Sequence, residues 1–254
     1  MVLAVVNNKG GVGKTTTSVN LGAALAAPKR RVLLIDLDGQ ASASMWCGVA
    51  RADLNPSSAA CLLENYPVSK AIRRTPTSNL DLISGSSELA NADLALSEVA
   101  GRELTLRHAL HQVRSRYDFI ILDCPPSLSL IGVNALVAAD GFVVPVVPHF
   151  LAVEGLTNML TAVDQVRRRL KARATLLGIL LTMVTPGKKR AEVREQLRSQ
   201  YRDRVFHTEI TTSRFLEEAP AAGKTIFQFG PHTGAADAFR RLAGEILERV
   251  SGRK

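Results

Sequence analysis

The segment that decides the fold of this 254-residue chain is Lys9-Gly10-Gly11-Val12-Gly13-Lys14-Thr15-Thr16. It follows the apolar run Val2–Asn7 and opens the helical pattern Lys14–Ala27. Glycines let the backbone turn tightly and aim its N–H groups at one point, where the helix N-terminus adds partial positive charge. A strand, such a loop and a helix, in this order, predict a phosphate-binding loop.

Each polar residue of this loop has a predicted role around a bound nucleoside triphosphate. Lys14 is expected to neutralise the β- and γ-phosphates, and the Thr15 hydroxyl to bind Mg²⁺, which takes few protein oxygens. Thr16 is expected to bond the α-phosphate. The alternative, a glycine turn with two solvated lysines, is disfavoured by the length of the motif and its position between strand and helix. The predicted ATP-binding residues of the loop are Lys9, Gly10, Gly11, Val12, Gly13, Lys14, Thr15 and Thr16.

Two further apolar runs end in carboxylates. The run Val32–Asp36 ends in Asp36, and Asp38 follows two residues later. The run Phe119–Asp123 ends in Asp123. In open α/β sheets, ligands bind outside the carboxyl ends of the strands, so these acids are expected beside the phosphate loop. We predict Asp123 and Asp36 as Mg²⁺ site residues together with Thr15. Capping of the next helix or turn is the competing role, and it is strongest for Asp36.

The remaining apolar runs are short, continuous and separated by helical patterns, which is typical of strands covered on both faces. The other predicted strands are Leu80–Ser84, Phe142–Val147, Leu176–Met183 and Val205–Thr208, and the other predicted helices are Glu103–Arg114, Val153–Lys171 and Ala191–Tyr201. This alternation implies an α/β fold with a mostly parallel, twisted sheet and helices on both faces. No linker or repeat interrupts it, so residues 1–254 are predicted to form one domain.

A last helical pattern, Ala235–Val250, carries Phe239, Leu242, Ile246 and Val250 at spacings of three or four residues. These spacings place the four side chains on one face of a helix. We predict that this face packs on the sheet. A membrane-binding helix is the alternative, but its apolar face lacks bulk.

Composition and charge narrow the class of protein. Hydrophobic residues make up 46% of the chain, which excludes overall disorder, and no apolar run reaches the roughly 18 residues that span a bilayer. Twelve Lys or Arg and three Asp or Glu lie between Arg167 and Arg204, an excess equal to the whole net charge of +9. This segment is either a solvated helical face or a surface for phosphate backbones.

Three cysteines without metal-ligand spacing, and an N-terminus that reads as a strand, favour a cytoplasmic protein.

The loop departs from the pattern G-x-x-x-x-G-K-[ST], because Asn8 replaces its first glycine and Lys9 adds a second lysine. In this the chain resembles the deviant Walker A ATPases of the ParA/MinD superfamily, and ParA and Soj in particular. The similarity continues through Asp123–Ser127 and Glu218-Ala219-Pro220 to nearly the whole chain, although Gly39 stands where the family commonly has proline.

This resemblance implies ATP and Mg²⁺ as cofactors and slow hydrolysis stimulated by a ParB-like or other adaptor. It implies that Lys9 reaches the partner's nucleotide in an ATP-bound homodimer, where a cation offsets charge on the transferred phosphoryl group. Asp38 resembles the residue that orients the attacking water, and Asp123 the acid that holds Mg²⁺. The implied catalytic residues are therefore Lys9, Lys14 and Asp38.

The resemblance also implies non-specific DNA binding and association with the nucleoid. The basic candidates for that surface are Lys188, Lys189, Arg190, Arg194, Arg198, Arg214 and Lys224. Many Soj-like chains read Ile-Pro-Arg-x-x-Arg near the last two, whereas this chain has Thr212 and Phe215 at the arginine positions. The family's DNA contacts therefore do not transfer directly. Met183, at the end of a late strand, is placed to contact adenine, and packing in the core is an equally good interpretation.

Three functions fit these features. The favoured one is an ATP-driven dimer that binds DNA and segregates or positions a cargo, such as a chromosome, a plasmid or a protein complex. One alternative is a MinD-like ATPase on a membrane surface, although the sequence lacks the MinD pattern after the second motif and no stable membrane association is expected. Another is a metabolic P-loop enzyme, such as an amide ligase. We rank these three functions by the sequence motifs rather than by the predicted fold, because one fold hosts many functions.

Overall fold

Seven parallel strands and one short antiparallel edge strand form a single sheet in the computed structural model, which describes residues 1–252. The strands are β1 (Val2–Val5), β2 (Val32–Asp36), β3 (Arg73–Arg74), β4 (Leu80–Ile83), β5 (Phe119–Asp123), β6 (Gly141–Val146), β7 (Thr175–Val184) and β8 (Val205–Thr211). Their order is β3-β4-β2-β5-β1-β6-β7-β8, and only β3 pairs in the antiparallel sense. The predicted α/β fold with a mostly parallel sheet is confirmed. The sequence did not predict β3, because two arginines at an edge carry no apolar pattern.

Twelve α-helices connect or follow these strands within the described residues. They are α1 (Lys14–Leu25), α2 (Ser42–Trp46), α3 (Ser58–Leu63), α4 (Val68–Ala71), α5 (Ala92–Ala95), α6 (Thr105–His111), α7 (Leu130–Ala138), α8 (Ala152–Leu170), α9 (Lys188–Tyr201), α10 (Arg214–Glu218), α11 (Ile226–Phe229) and α12 (Gly234–Ser251). The helix α9 begins three residues before its predicted start. The residue before this helix, Gly187, has φ 136°, a backbone conformation that glycine adopts easily and other residues rarely adopt. Three basic residues therefore lie in the first turn of α9 rather than in a loop.

The side chains of each strand alternate between two buried layers. On β1, Val2 and Ala4 join the layer that is covered by α3 to α9. Leu3 and Val5 join the layer covered by α1, α2 and α10 to α12. Both faces of the sheet are thus closed, which explains why the strand sequences are continuously apolar.

The C-terminal helix α12 packs on the sheet as predicted. Phe239, Leu242 and Ile246 have no exposed surface, and Val250 packs against the same layer. The hydroxyl of Thr233 accepts a hydrogen bond from the backbone N–H of Ala236 and so caps the start of this helix. Within residues 1–252, no helix is long and apolar enough to cross a bilayer.

Replacing Phe239 with alanine tests this packing. We expect Phe239→Ala to lower the free energy of unfolding by about 3–5 kcal/mol, because it removes a fully buried ring and leaves a cavity. Arg241→Ala, on the exposed face of the same helix, is the control and is expected to change stability by less than about 0.5 kcal/mol. Urea unfolding measures both, and similar values for the two variants would contradict the packing of α12.

Candidate nucleotide-binding site

The sheet order brings the predicted site residues to one edge. The strand β1 lies between β5 and β6, and β5 also pairs with β2. In the register of these strands, Val5 pairs with Asp123, and Asp36 pairs with Asp123. The loop that follows β1 therefore meets the carboxylates that end β2 and β5, as predicted for the carboxyl edge of a parallel sheet.

The phosphate loop is held in place from both sides. Gly11 and Gly13 have φ values of 69° and 80°, which favour glycine. The Thr182 hydroxyl of β7 donates to the carbonyl of Val12 at 2.9 Å, and the Thr17 hydroxyl of α1 donates to the carbonyl of Gly13 at 2.7 Å. Within residues 1–252, the backbone N–H groups of residues 10–16 donate to no acceptor of the chain. These seven donors are available to an anion.

Of the two lysines in this loop, Lys14 is the one that lies at the cavity in front of the loop. Its side chain is buried, and Nζ donates to the backbone carbonyl of Lys9 at 2.9 Å. Burial lowers the pKa of the Lys14 ammonium, and the negative charge of Asp123 opposes that shift. The lysine is thus held at the loop by one carbonyl, and phosphate oxygens would compensate its desolvation better.

Asp123 is fully buried and connects β5 to the first turn of α1. Its Oδ2 accepts from the Thr15 hydroxyl at 2.9 Å, and its Oδ1 accepts from the Ser18 hydroxyl at 2.8 Å. Burial raises the pKa of the Asp123 carboxyl, and the charge of Asp36 raises it further. A divalent cation would favour the ionised form. The sequence interpretation did not include Ser18, although its spacing of three residues from Thr15 on a helix is the signal that would have found it.

Asp36 is also buried, and its two oxygens accept three hydrogen bonds from the chain. Oδ2 accepts from the backbone N–H and the hydroxyl of Ser44, at 2.9 and 2.7 Å, and Oδ1 accepts from the backbone N–H of Asp38. Asp36 therefore holds together the segment that follows β2. A Cβ at Gly85 would lie 2.7 Å from the carbonyl oxygen of Asp38. Only glycine therefore lets the chain after β4 pass this close to the segment that follows β2.

A cavity of about 570 Å³ opens in front of the loop. Asp38 lines it, and its carboxylate is partly exposed and accepts from the backbone N–H of Gln40 at 3.0 Å. Ser42, Met45 and Trp46 of α2 line the same cavity, and sequence reasoning did not single them out because α2 is a five-residue helix without a visible period. The remaining lining residues are Gly10, Gly11, Gly13, Lys14, Thr15, Thr16, Pro126, Met183, Pro220 and Ala221.

A smaller cavity of about 130 Å³ adjoins the first. It lies between Gly13 and Thr16 on one side and the ends of β7 and β8 on the other. Met183 lines both cavities, is 38% exposed and has φ 49°. A partly exposed methionine in this backbone conformation is not an ordinary core side chain.

Lys9 lies apart from the cavity that receives Lys14. It is exposed at the start of the loop, and its Nζ contacts the Nε2 atom of His149, which follows β6. The two lysines of the motif, five residues apart, therefore have separate environments.

The basic candidates on α9 fall into two groups. Lys188, Lys189 and Arg190 are exposed in its first turn. Arg194 and Arg198 instead form ion pairs of 2.8 Å with Glu209 of β8. Arg194 and Arg198 thus point toward the protein, whereas Arg190 stays exposed. Two other candidates are exposed: Arg214, whose guanidinium lies over the Phe215 ring at 5.0 Å, and Lys224, whose carbonyl accepts from Trp46.

These residues fit a Mg²⁺-nucleotide. The donor set of residues 10–16 matches a polyphosphate, and Lys14 supplies an ammonium. Within residues 1–252, no group of three or more His, Cys, Asp or Glu side chains is arranged as a metal site. Mg²⁺ would therefore be held by Thr15 and Asp123 together with phosphate oxygens and water, which is how proteins usually bind this ion.

Comparison with known proteins identifies the family. A family model described as an AAA domain matches residues 1–176. The chain is 40% identical over 246 residues to the sporulation initiation inhibitor protein Soj of Bacillus subtilis, covering 96% of this chain and 97% of that protein. It is 42% identical over 249 residues to the chromosome-partitioning ATPase Soj of Thermus thermophilus, covering 98% and 96% of the two chains. The chain belongs to the ParA/Soj family of P-loop partition ATPases.

Solved structures share the fold of this chain. Cobyrinic acid a,c-diamide synthase of Mycobacterium smegmatis with bound ADP and magnesium is 32% identical, with a TM-score of 0.86, and covers 100% of this chain and 96% of that one. McdA of Cyanothece in complex with ATP is 22% identical and shares the fold, with a TM-score of 0.86 over 97% of this chain and 96% of that one. As a ParA/Soj ATPase, the protein uses ATP and Mg²⁺ and hydrolyses ATP.

Removing the Lys14 ammonium tests the site. We expect Lys14→Ala to weaken ATP binding at least about a hundredfold, because the phosphates lose a charged partner in a buried loop. Lys29→Ala, which truncates an exposed lysine beyond α1, is the control and should bind as the wild type does. Isothermal titration with Mg²⁺ and a non-hydrolysable ATP analogue measures both. Unchanged affinity in Lys14→Ala would show that the loop is not the phosphate site.

Proposed function

We propose that this protein is an ATP-driven dimer that binds DNA without sequence preference and segregates or positions a cargo. The observation that carries the proposal is the separation of the two lysines in one phosphate loop. Lys14 is buried at its own nucleotide cavity, whereas Lys9 is exposed outside that cavity. A cation at this position is suited to a second protomer's nucleotide, where it offsets the charge of the transferred phosphoryl group.

Each site residue has a separate role in the proposed hydrolysis of ATP. Asp123 and Thr15 hold Mg²⁺, and Asp36 supports them by ordering the segment that follows β2. Asp38 lies on the cavity wall with a partly exposed carboxylate, and there it orients the attacking water. Met183 contacts the adenine in the smaller cavity. Turnover is slow until a ParB-like or other adaptor protein stimulates it, and the ATP-bound dimer is located on the nucleoid.

Gly10 offers a way to test the dimer without disturbing the protomer. A Cβ at Gly10 would meet no other atom within 4 Å, and its φ lies outside the left-handed region. We expect Gly10→Val to keep the fold and ATP affinity but to lose ATP-dependent dimers, because the added methyl groups project from the loop toward a facing protomer. Analytical ultracentrifugation with ATP and Mg²⁺ measures dimerisation.

The control for this experiment is Gly244→Val, which makes the same substitution on α12, where a Cβ would likewise meet no other atom within 4 Å. It is expected to dimerise more like the wild type than like Gly10→Val. An ATP-bound dimer of wild-type affinity in Gly10→Val would argue against a two-fold assembly that closes on this loop.

The DNA surface of the proposal is the first turn of α9. Lys188, Lys189 and Arg190 are exposed there and form no ion pair with residues 1–252. Arg194 and Arg198 are paired with Glu209, so their contribution to phosphate contacts is smaller. Arg214 and Lys224 extend the surface. Such a cluster of cations binds a phosphate backbone by releasing counterions.

Reversing the charge of this turn tests DNA binding. The triple variant Lys188→Glu, Lys189→Glu, Arg190→Glu should retain ATP-dependent dimers but bind DNA at least about tenfold more weakly, and the slope of log affinity against log salt should fall by about 0.9 per lost phosphate contact. The control, Lys29→Glu, Lys70→Glu, Arg107→Glu, makes the same charge change at exposed positions elsewhere. Equal losses in both variants would mean that net charge, rather than this turn, determines binding.

A metabolic enzyme is the second candidate, because a structure named as a diamide synthase shares 32% identity and the fold. Partition is favoured because a relative at 42% identity is named as a chromosome-partitioning ATPase. The same ultracentrifugation and DNA-binding experiments separate the two. ATP turnover coupled to amidation of a small molecule, without dimers or DNA binding, would support the second candidate.

A further inference from the structure

The contact between Lys9 and His149 joins two loops at the carboxyl edge of the sheet. The Asn7 side chain holds these loops together, because its Nδ2 donates to the carbonyl of Pro145 at 2.7 Å and its Oδ1 accepts from the backbone N–H of Lys9 at 3.0 Å. Lys9 Nζ lies 2.5 Å from His149 Nε2. In the single protomer, the exposed lysine side chain therefore has a hydrogen-bond partner on the neighbouring loop.

The chemistry of the His149 ring makes this contact conditional. A lysine ammonium only donates hydrogen bonds, so it needs a lone pair on Nε2. The backbone N–H of Leu151 lies 3.2 Å from Nδ1 and needs a lone pair there. A neutral imidazole has one lone pair available for hydrogen bonding, and an imidazolium has none. The ring can therefore accept from Lys9 or from Leu151, but not from both, and the protonated ring accepts from neither.

The surroundings favour a neutral ring. A cavity of about 100 Å³ beside it is lined mostly by apolar and amide side chains, and Lys9 is the one charged group among the lining residues described. Burial lowers the pKa of His149, and the positive charge of Lys9 lowers it further. On the helix that follows, Glu154 is exposed in the first turn of α8, and the structure records no contact between it and the ring.

We propose that His149 is a positioning residue that retains Lys9 on its own protomer and must release it before the lysine can serve a second protomer. This inference rests on the proposed function, because it requires Lys9 to act in trans. Formation of the ATP-bound dimer then costs the hydrogen bond to Nε2. Protonation of the ring, or transfer of its proton from Nδ1 to Nε2, removes the acceptor and frees the lysine. Dimerisation should therefore tighten as pH falls through the pKa of His149.

Two substitutions of His149 test this role through the dissociation constant of the dimer, measured by ultracentrifugation with saturating Mg²⁺ and a non-hydrolysable ATP analogue. His149→Ala removes the acceptor and is expected to tighten the dimer about fivefold near pH 8. His149→Gln keeps an acceptor oxygen but cannot titrate. Because the pKa of His149 lies below its usual value of about 6.5, the wild-type dimer should tighten between about pH 8 and about pH 5, and the His149→Gln dimer should lack that change. Both variants retain Asp36 and Asp123. A pH dependence that the wild type shows and the variants lack therefore cannot come from the titration of those two acids.

The contact has a direct readout that needs no dimer. In a histidine NMR titration without nucleotide, the pKa of His149 should be higher in Lys9→Gln than in the wild type, because a neighbouring positive charge is removed. An equal pKa in the two proteins would overturn the contact. A dimer of His149→Ala that is unchanged or weaker would overturn the retaining role. If the wild type fails to dimerise with ATP, the proposed function fails, and the titration still decides whether His149 holds Lys9.

Discussion

The pairing of β2 with β5 brings two carboxylates, Asp36 and Asp123, to the same point of the buried sheet edge, and the site is organised around the charge that they concentrate. Burial raises the pKa of both carboxyls, so each needs donors or cations to stay ionised. Asp36 obtains its donors from Ser44 and from the backbone of its own segment. Asp123 obtains them from the first turn of α1. Through these two hydrogen bonds, the end of β5, the first turn of α1 and the phosphate loop before it form one connected unit.

That unit explains why the two lysines of the loop behave differently. Lys14 lies within the unit, where burial lowers the pKa of its ammonium and the charge of Asp123 opposes that shift. Lys9 lies at its outer rim, where a histidine from the next strand end is its partner. In the proposed dimer, Lys14 would serve the nucleotide of its own protomer and Lys9 that of the second protomer. The affinity of that proposed dimer would then depend on how easily Lys9 leaves its contact with His149.

The basic segment shows how tertiary contacts divide a charge cluster. Glu209 of β8 neutralises two arginines of α9 at ion-pair distance, while the first turn of the same helix stays exposed. A paired arginine loses its partner when it binds a phosphate, so it contributes less than an unpaired one. The net charge of the chain therefore overstates the number of cations that are free to bind a polyanion such as the proposed DNA partner.

The sequence by itself determined the phosphate loop, every strand except β3, the mostly parallel sheet and the acids at the strand ends, because apolar patterning and glycine placement specify them. The tertiary structure alone decided that Ser18 supports Asp123, that Glu209 engages Arg194 and Arg198, and that His149 meets Lys9. His149 lies 140 residues from its lysine. No spacing along a chain encodes such a contact, because it exists only once β1 and β6 have paired in register.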